Sequence, residues 1–288
     1  MRILSVALMI AVSLAAGCTD SEGGAGPTGS PPSPSAPTAA PVAAIRAIGP
    51  GGVLRVYHEN MDFPTAEEVA AAADGTEIVL TFRLSPVATA AGEHDQQLRD
   101  AIARMEDAGG TWNVGYFHEP EIRLNPDEYR AAFSRVASIV QQSANVRSIA
   151  VLMGYTFTDR DPDVWYPGDD VVDVLGIDSY DWLGCVDNGG DARAGAHPRT
   201  FGDIFTPADA FATAHGKPWI ATEFGRAFDP ADPQARAAWL RDAAVWIDDH
   251  PSMIGGAYFQ HSVADGYRCN WALDERELAV ARDLWPAG

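Results

Sequence analysis

The chain has 288 residues, enough for one large domain, and its 40 acidic and 20 basic residues give a formal net charge of -20. This acidic balance argues against nucleic acid, anionic lipid surfaces and anionic polymers as partners, because like charges repel each other. We expect a monomer that binds a neutral ligand.

Residues 1–18 have the pattern of an export signal. Arg2 precedes an apolar run over residues 3–16, which is shorter than the roughly 20 residues of a membrane-spanning helix. The end of this run, residues 14–18, resembles a bacterial lipobox. We therefore expect Cys18 to be lipidated and to anchor the exported chain on the outer face of the cell membrane. Ordinary cleavage with secretion is the alternative.

Residues 19–41 are rich in Gly, Ser, Pro, Thr and Ala and show no apolar periodicity. Such a composition cannot bury enough surface to fold, so this segment is predicted to be a flexible tether. The folded domain is predicted to span residues 42–288, without an internal repeat or a second domain boundary.

Strand and helix patterns alternate through this domain, which predicts a parallel sheet with crossover helices. After a short helical piece at 42–48, the predicted strands are 53–58, 78–84, 111–117, 148–155, 172–180, 218–225 and 254–260. The predicted helices are 65–73, 95–108, 126–142, 206–215 and 233–249. We predict a (β/α)8 TIM barrel, irregular or incomplete at the first strand, which would have to lie upstream of Val42. An open doubly wound sheet is the alternative, although no Gly-rich phosphate loop follows the first clear strand.

Polar residues cluster at the ends of these strands, where the active site of such a barrel lies. Those predicted to contribute to the site are His58, Arg83, His118, Glu119, Asp178, Tyr180, Trp182, Glu223 and Gln260. Any one of them could simply cap a strand end. Their joint pattern is more informative, because small residues (Gly115, Gly176 and Ala221) lie one or two pleats below the carboxylates.

Two carboxylates facing each other across a barrel mouth suit glycoside hydrolysis, in which one protonates the leaving oxygen and the other attacks the anomeric carbon. Glu119 and Glu223 are the predicted pair. Arg83 and Tyr180 are expected to keep Glu223 ionised. His118 is expected to bind a sugar hydroxyl or tune the acid, and packing behind the strand is its alternative role. Among the tryptophans, Trp165 and Trp182 are predicted to stack on sugar rings.

Four motifs resemble glycoside hydrolase family 26, a clan A group of retaining (β/α)8 enzymes that includes β-mannanases. They are FHEPE at 117–121, YPGDD at 166–170, VDVLGID at 172–178 and TEFG at 222–225. The resemblance covers roughly residues 42–288 and implies Glu119 as acid/base and Glu223 as nucleophile. Many clan A members carry a tryptophan on the last strand, where this chain has Tyr258 or Phe259.

The resulting hypothesis is a retaining, β-mannanase-like endo-hydrolase of a neutral β-linked polysaccharide or oligosaccharide, with no metal and no cofactor. A metal-dependent barrel hydrolase is a weaker alternative, because no close His pair lies on an early strand. A surface lipoprotein that binds glycan without cleaving it is the alternative from another functional class. Cys185 and Cys269 are expected either to form a disulfide, as an oxidising compartment permits, or to remain two separate thiols.

Overall fold

The computed structural model describes residues 6–8, 52–185, 197–262 and 269–285. The strands are β1 (Val6–Leu8), β2 (Val53–His58), β3 (Glu77–Phe82), β4 (Trp112–Tyr116), β5 (Val146–Met153), β6 (Val174–Asp181), β7 (Trp219–Arg226) and β8 (Met253–Tyr258). The α-helices are α1 (Ala66–Ala73), α2 (Pro86–Ala90), α3 (Asp95–Ala108), α4 (Pro126–Val140), α5 (Thr156–Asp159), α6 (Phe201–Ala214), α7 (Ala235–Asp248) and α8 (Glu275–Leu284). Cys18, the segment 19–41 and the predicted helix at 42–48 lie outside the described residues.

The strands form a parallel sheet in the order β1-β8-β7-β6-β5-β4-β3-β2. The two ends of this sheet come together, since β2 contacts both β1 and β8. The sheet therefore curls into a nearly closed barrel with helices outside it, and the predicted TIM-barrel fold is confirmed.

The strand next to β8 is short and comes from far upstream. Val6–Leu8 pairs with Gly256, Ala257 and Tyr258 of β8. The first strand does lie upstream of Val42, as the strand count required, but within the predicted export signal. No helix among the described residues is long and apolar enough to cross a membrane.

Local signals explain where the helices begin. The Thr65 side chain caps α1 in a capping box with Glu68. Helix α6 begins at Phe201 rather than at the predicted residue 206, because Thr200 caps it in the same manner, and the helix continues through Pro207. Helix α8, which the sequence reading missed, has a capping box of its own.

The barrel interior is closely packed beneath the strand ends. A Cβ atom added at Gly176 would lie 2.7 Å from a Val151 methyl and 3.0 Å from a Thr222 methyl, so only glycine fits there. Outside the sheet, aromatic side chains fill the layer between β7 and its helices: Phe201, Phe205, Trp219, Phe224, Trp239 and Trp246. This rigid frame fixes the mouth of the barrel, where all the strands end.

Candidate active site

A cleft of about 400 Å³ opens at the mouth of the barrel. Its lining residues are Tyr57, Glu59, Arg83, His118, Glu119, Tyr180, Trp182, Glu223, Phe259 and Trp271. The two predicted catalytic carboxylates therefore face one cleft, together with four of the predicted substrate-binding residues. Charged groups and a histidine come from the loops after β2, β3 and β4, whereas most of the aromatic groups come from β6 and from the residues after β8.

A strained turn after β4 presents Glu119 to this cleft. Phe117 and Glu119 have φ values of 55° and 50°, in the left-handed region that non-glycine residues avoid. Each such residue costs on the order of 1 kcal/mol. The turn is held by backbone hydrogen bonds from Phe117 to Phe82 at 2.9 Å and from Glu119 to Val151 at 3.1 Å. Neighbouring strands thus impose a conformation that the local sequence disfavours.

Glu121 fastens the same turn to the end of β5. It lies in the 3-10 helix Pro120–Ile122 that follows Glu119. Its buried carboxylate accepts hydrogen bonds from the Met153 backbone at 2.9 Å and from the Thr156 hydroxyl at 2.7 Å. Glu121 therefore positions the turn, and it is absent from the cleft lining.

The environment of Glu119 favours its protonated form. Burial is the main cause, and the negative charges of Glu223 and Glu121 add to it, so that the pKa of Glu119 rises from 4.5 to about 7. Arg55 and Arg83 oppose this rise without cancelling it. A carboxyl group with this pKa can hold a proton near neutral pH and deliver it to a leaving group.

Glu223 on β7 accepts hydrogen bonds from two phenols. The Tyr57 hydroxyl donates to one carboxylate oxygen and the Tyr180 hydroxyl donates to the other. Burial and the Glu223 charge raise the pKa of both tyrosines well above 10.0, so both remain donors. Glu223 is 7 % exposed. Its two oxygens are thus held in place by side chains of β2 and β6, while the carboxylate still reaches the cleft.

A buried polar layer lies below the cleft. Asp178 is 2 % exposed and accepts a hydrogen bond from Thr222. Burial, with the charge of Glu223, raises the pKa of Asp178 well above its usual range, which favours its neutral form. Arg55 is fully buried and lies 4.3 Å from the centre of the Tyr57 ring. Asp178 thus supports the site from below and, contrary to prediction, is absent from the cleft lining.

His118 is neutral and its tautomer follows from its partners. Arg83 approaches Nε2 at 2.7 Å, and an arginine can only donate, so Nε2 accepts. The proton therefore lies on Nδ1, which donates to the Thr81 hydroxyl at 3.0 Å. Burial, followed by the charges of Arg55 and Arg83, lowers the pKa of His118 well below 6.5. Arg83 also pairs with Glu59 at 3.5 Å. Arg83, which was expected to keep Glu223 ionised, thus contacts His118 and Glu59, whereas Tyr57 and Tyr180 contact Glu223.

Aromatic side chains form the opposite side of the cleft. Trp271 packs against Tyr180 at 4.8 Å and against Trp182 at 5.0 Å between ring centres. Behind these rings, Cys185 and Cys269 form a disulfide with Cα atoms 5.2 Å apart. Trp182 therefore lies where a sugar ring could stack.

Three predicted substrate-binding residues lie away from the cleft. His58 is buried against Phe63 and bonds to Glu68 at 2.9 Å. The side-chain amide of Gln260 donates to the Leu273 carbonyl at 3.1 Å and accepts from the Leu273 N–H at 3.0 Å. Trp165 is 7 % exposed and packs against Tyr129 in the core. The structure thus places these three side chains in other contacts and outside the cleft lining, because side-chain burial at a strand end or in a loop cannot be read from spacing alone.

The sequence assigned no definite role to the other lining residues, although Trp271 was one of the tryptophans among which Trp165 and Trp182 were preferred for sugar stacking. Tyr57 was visible as a polar strand end, and its position two residues after Arg55 places both on the inner face of β2. Trp271 lies beyond the last strand, and only the disulfide and the fold bring it into the cleft. Tyr258 and Phe259 lie where many clan A members carry a tryptophan on the last strand. Phe259 lines the cleft, whereas the Tyr258 hydroxyl is buried in the core.

Within the described residues, no group of three His, Cys, Asp or Glu side chains could hold a metal ion. His58, His118, Asp178 and His261 are the residues at strand ends whose side chains could serve as metal ligands, and they do not form such a group among the described residues.

No protein-family model matches the chain. Over 197 residues it is 26% identical to endoglucanase H of Acetivibrio thermocellus, a match that covers 64% of this chain and only 20% of that protein. Among solved structures, fungal β-1,4-galactanases align with a TM-score of 0.57 and 14% identity, over 80% of this chain and 87% of theirs. A GH26 β-mannanase from Bacteroides ovatus aligns with a TM-score of 0.53 and 14% identity, over 82% and 78%. The chain thus has the barrel fold of these solved structures.

Proposed function

We propose that this protein is a retaining glycoside hydrolase that cleaves a neutral β-linked glycan, with Glu119 as acid/base and Glu223 as nucleophile. The observation that carries the proposal is the contrast between two carboxylates in one cleft. Glu119, with a pKa of about 7, suits a proton donor. Glu223, held by two phenol donors, suits an attacking carboxylate.

The reaction takes two steps. In the first, a Glu223 oxygen attacks the anomeric carbon, the glycosidic bond breaks, and Glu119 gives its proton to the leaving oxygen. In the second, the Glu119 carboxylate takes a proton from water, whose oxygen attacks the same carbon and releases Glu223. Each step inverts the configuration, so the product retains that of the substrate. Direct attack requires carboxyl groups about 5 to 5.5 Å apart.

The lining of the cleft also supports an uncharged sugar as the substrate. Its aromatic side offers faces for pyranose rings, which suits an uncharged sugar. The formal charge of -20 disfavours polyanionic glycans. The β-mannanase and β-1,4-galactanase fold neighbours and the endoglucanase relative make β-1,4-linked backbones the first substrates to test, with β-mannan favoured and endo attack expected.

The deciding experiment is a hydrolysis screen of the purified protein over mannan, galactan, glucan and xylan, with aryl glycosides in parallel. Product anomers followed by NMR would show retention, whereas inversion would exclude Glu223 as nucleophile. Glu223→Ala should abolish turnover on every substrate. Glu119→Ala should largely spare aryl glycosides with good leaving groups and should form a glycosyl azide when azide is added.

The control is Glu59→Gln, which removes another carboxylate that lines the cleft. It should keep turnover of aryl glycosides within about tenfold of wild type, a change of about 1.4 kcal/mol in the barrier.

Glycan binding without hydrolysis of any substrate in the screen would instead support a non-catalytic glycan-binding protein.

We further infer export with a lipid anchor at Cys18, which rests on the sequence of residues 1–18. Processing at Cys18 would remove β1, so the mature barrel would consist of β2 to β8. The Cys185–Cys269 disulfide supports export, since such bonds persist in oxidising compartments. Metabolic labelling with a fatty acid should mark the wild-type chain but not Cys18→Ser. Unlabelled wild-type protein in the culture medium would indicate ordinary secretion.

A further inference from the structure

The disulfide joins two loops that both carry residues of the cleft. Cys185 lies three residues after Trp182, beyond β6, and Cys269 lies two residues before Trp271, beyond β8. The two cysteines are 84 residues apart in the sequence. Both are buried, and they pack in one small cluster with Trp271 and Ala227. The bond therefore links two loops at the mouth of the barrel, beyond the ends of the strands, where hydrogen bonds between strands no longer connect the chain.

Three further rings pack against this cluster and, with Trp271, form what we call the aromatic wall, defined as Tyr180, Trp182, Phe259 and Trp271. Tyr180 lies at its centre, with ring centres 4.8 Å from Trp271, 5.5 Å from Phe259 and 5.8 Å from Trp182. All four rings line the cleft. A displacement of Trp271 would thus remove a neighbour from both Tyr180 and Trp182.

The loops behind the wall are tightly fitted. Gly184 has φ 87°, and a Cβ atom added there would lie 2.6 Å from the Asp229 backbone. The Phe228 backbone donates to the Asn270 carbonyl at 2.8 Å. The loop after β7 thus lies against Gly184 on one side and Asn270 on the other, next to the two cysteines of the disulfide.

The wall is also connected to the predicted nucleophile. The Tyr180 hydroxyl donates to Glu223, and its ring is the one that the other three contact. The position of the wall therefore decides both which surface meets a sugar and where this hydroxyl is directed.

We propose that the Cys185–Cys269 disulfide is a positioning element of the site: it holds Trp271 and Trp182 as a stacking surface for the apolar face of a neutral pyranose ring. This inference rests on the proposed function. It adds to it the surface that binds the sugar and the covalent bond that keeps this surface in place.

The first test needs no substrate. Acrylamide quenching of tryptophan fluorescence measures how accessible the rings are. Replacing the disulfide by Cys185→Ala/Cys269→Ala should increase the quenching constant, because the loops separate. The same replacement in a Trp182→Phe/Trp271→Phe background should leave quenching unchanged. Wild-type protein reduced by a phosphine under native conditions, with two thiols titrated, provides the measurement if the double variant does not fold.

The second test is a double-mutant cycle on binding of mannohexaose, measured by calorimetry in the Glu223→Ala background to prevent turnover. Removing the disulfide, or replacing both Trp182 and Trp271 by Ala, should each weaken binding at least about tenfold. The two changes together should weaken it no more than the double tryptophan replacement alone, because the disulfide acts through those two rings. A merely stabilising bond would not show this dependence.

Unchanged quenching after loss of the disulfide would overturn the proposal, and so would additive effects in the cycle. If the parent protein does not bind mannohexaose, mannan is excluded from the proposed function, and the quenching experiment alone then decides whether the disulfide positions the wall.

Discussion

Replacing Glu119 by glutamine is expected to stabilise the fold at alkaline pH, although it removes the proposed acid/base. The reason is the pKa of the Glu119 carboxyl, which the folded protein raises from 4.5 to about 7, chiefly by burial. In the folded state this group resists ionisation that it undergoes freely when the chain is unfolded. Glutamine has nearly the same shape and no charge, so it escapes the penalty.

The sign of the effect follows from proton binding. Below pH 4.5 the Glu119 carboxyl is protonated in both states and costs nothing. Between pH 4.5 and about 7 only the unfolded chain releases this proton, so the free energy of unfolding falls as pH rises. Above pH 7 the full cost is on the order of 3 kcal/mol, since each unit by which folding raises the pKa corresponds to about 1.4 kcal/mol. For a domain of this size that is on the order of 10 °C in melting temperature.

Scanning calorimetry of wild type and Glu119→Gln at pH 4 and pH 8 measures this difference. The variant should melt at the same temperature as wild type at pH 4 and at a higher temperature at pH 8. Glu106→Gln, an exposed carboxylate on α3, is the matched control and should show no such dependence. In wild type, kcat/KM should fall above about pH 7 as Glu119 ionises. A melting difference that is equal at both pH values would refute the assignment of the raised pKa to Glu119.

The remaining predictions concern the nucleophile, the disulfide and the first strand. Tyr57→Phe and Tyr180→Phe should each lower kcat by about 10- to 1000-fold, because each removes one donor to the attacking carboxylate. Their melting temperatures should stay near that of wild type. An unchanged kcat in both variants would show that these hydroxyls do not contribute to catalysis. Loss of the Cys185–Cys269 bond should lower the free energy of unfolding by about 2 to 5 kcal/mol in denaturant titrations, because it releases a long loop in the unfolded chain; an unchanged midpoint would contradict this. A chain without residues 1–18 should still unfold cooperatively, because the few hydrogen bonds of a three-residue strand, about 1 kcal/mol each, at most offset the cost of about 1 to 2 kcal/mol for ordering each of its residues. Loss of the cooperative transition in calorimetry would show that β1 is essential.

Much of the site was predictable because parallel strands deliver their ends to one place. Once the strand at 111–117 and the strand at 218–225 were recognised, Glu119 and Glu223 had to meet at the same mouth. The seven strands from β2 onward were predictable on the same basis, since each is a short apolar run between turn signals. Only the first strand escaped, because a three-residue segment carries too little pattern.

The sequence could not separate residues that line the cleft from residues that merely lie near it. Trp165 and Trp182 both follow strands, yet one is in the core and the other in the cleft. Arg83 was assigned to Glu223, but it reaches His118 instead, a contact set by the turn after β4. Such choices depend on side-chain directions across several loops, which no local pattern records.

By itself the sequence determined the fold class, the acidic surface and the two strand-end carboxylates, because hydrophobic period and composition are local properties of the chain. Only the tertiary structure decided the chemistry around them. It buries Glu119 beside Glu223, directs Tyr57 and Tyr180 onto one carboxylate, and brings Trp271 back into the cleft. Burial, charge proximity and ring contacts join residues far apart in the sequence, so they exist only once the barrel has formed.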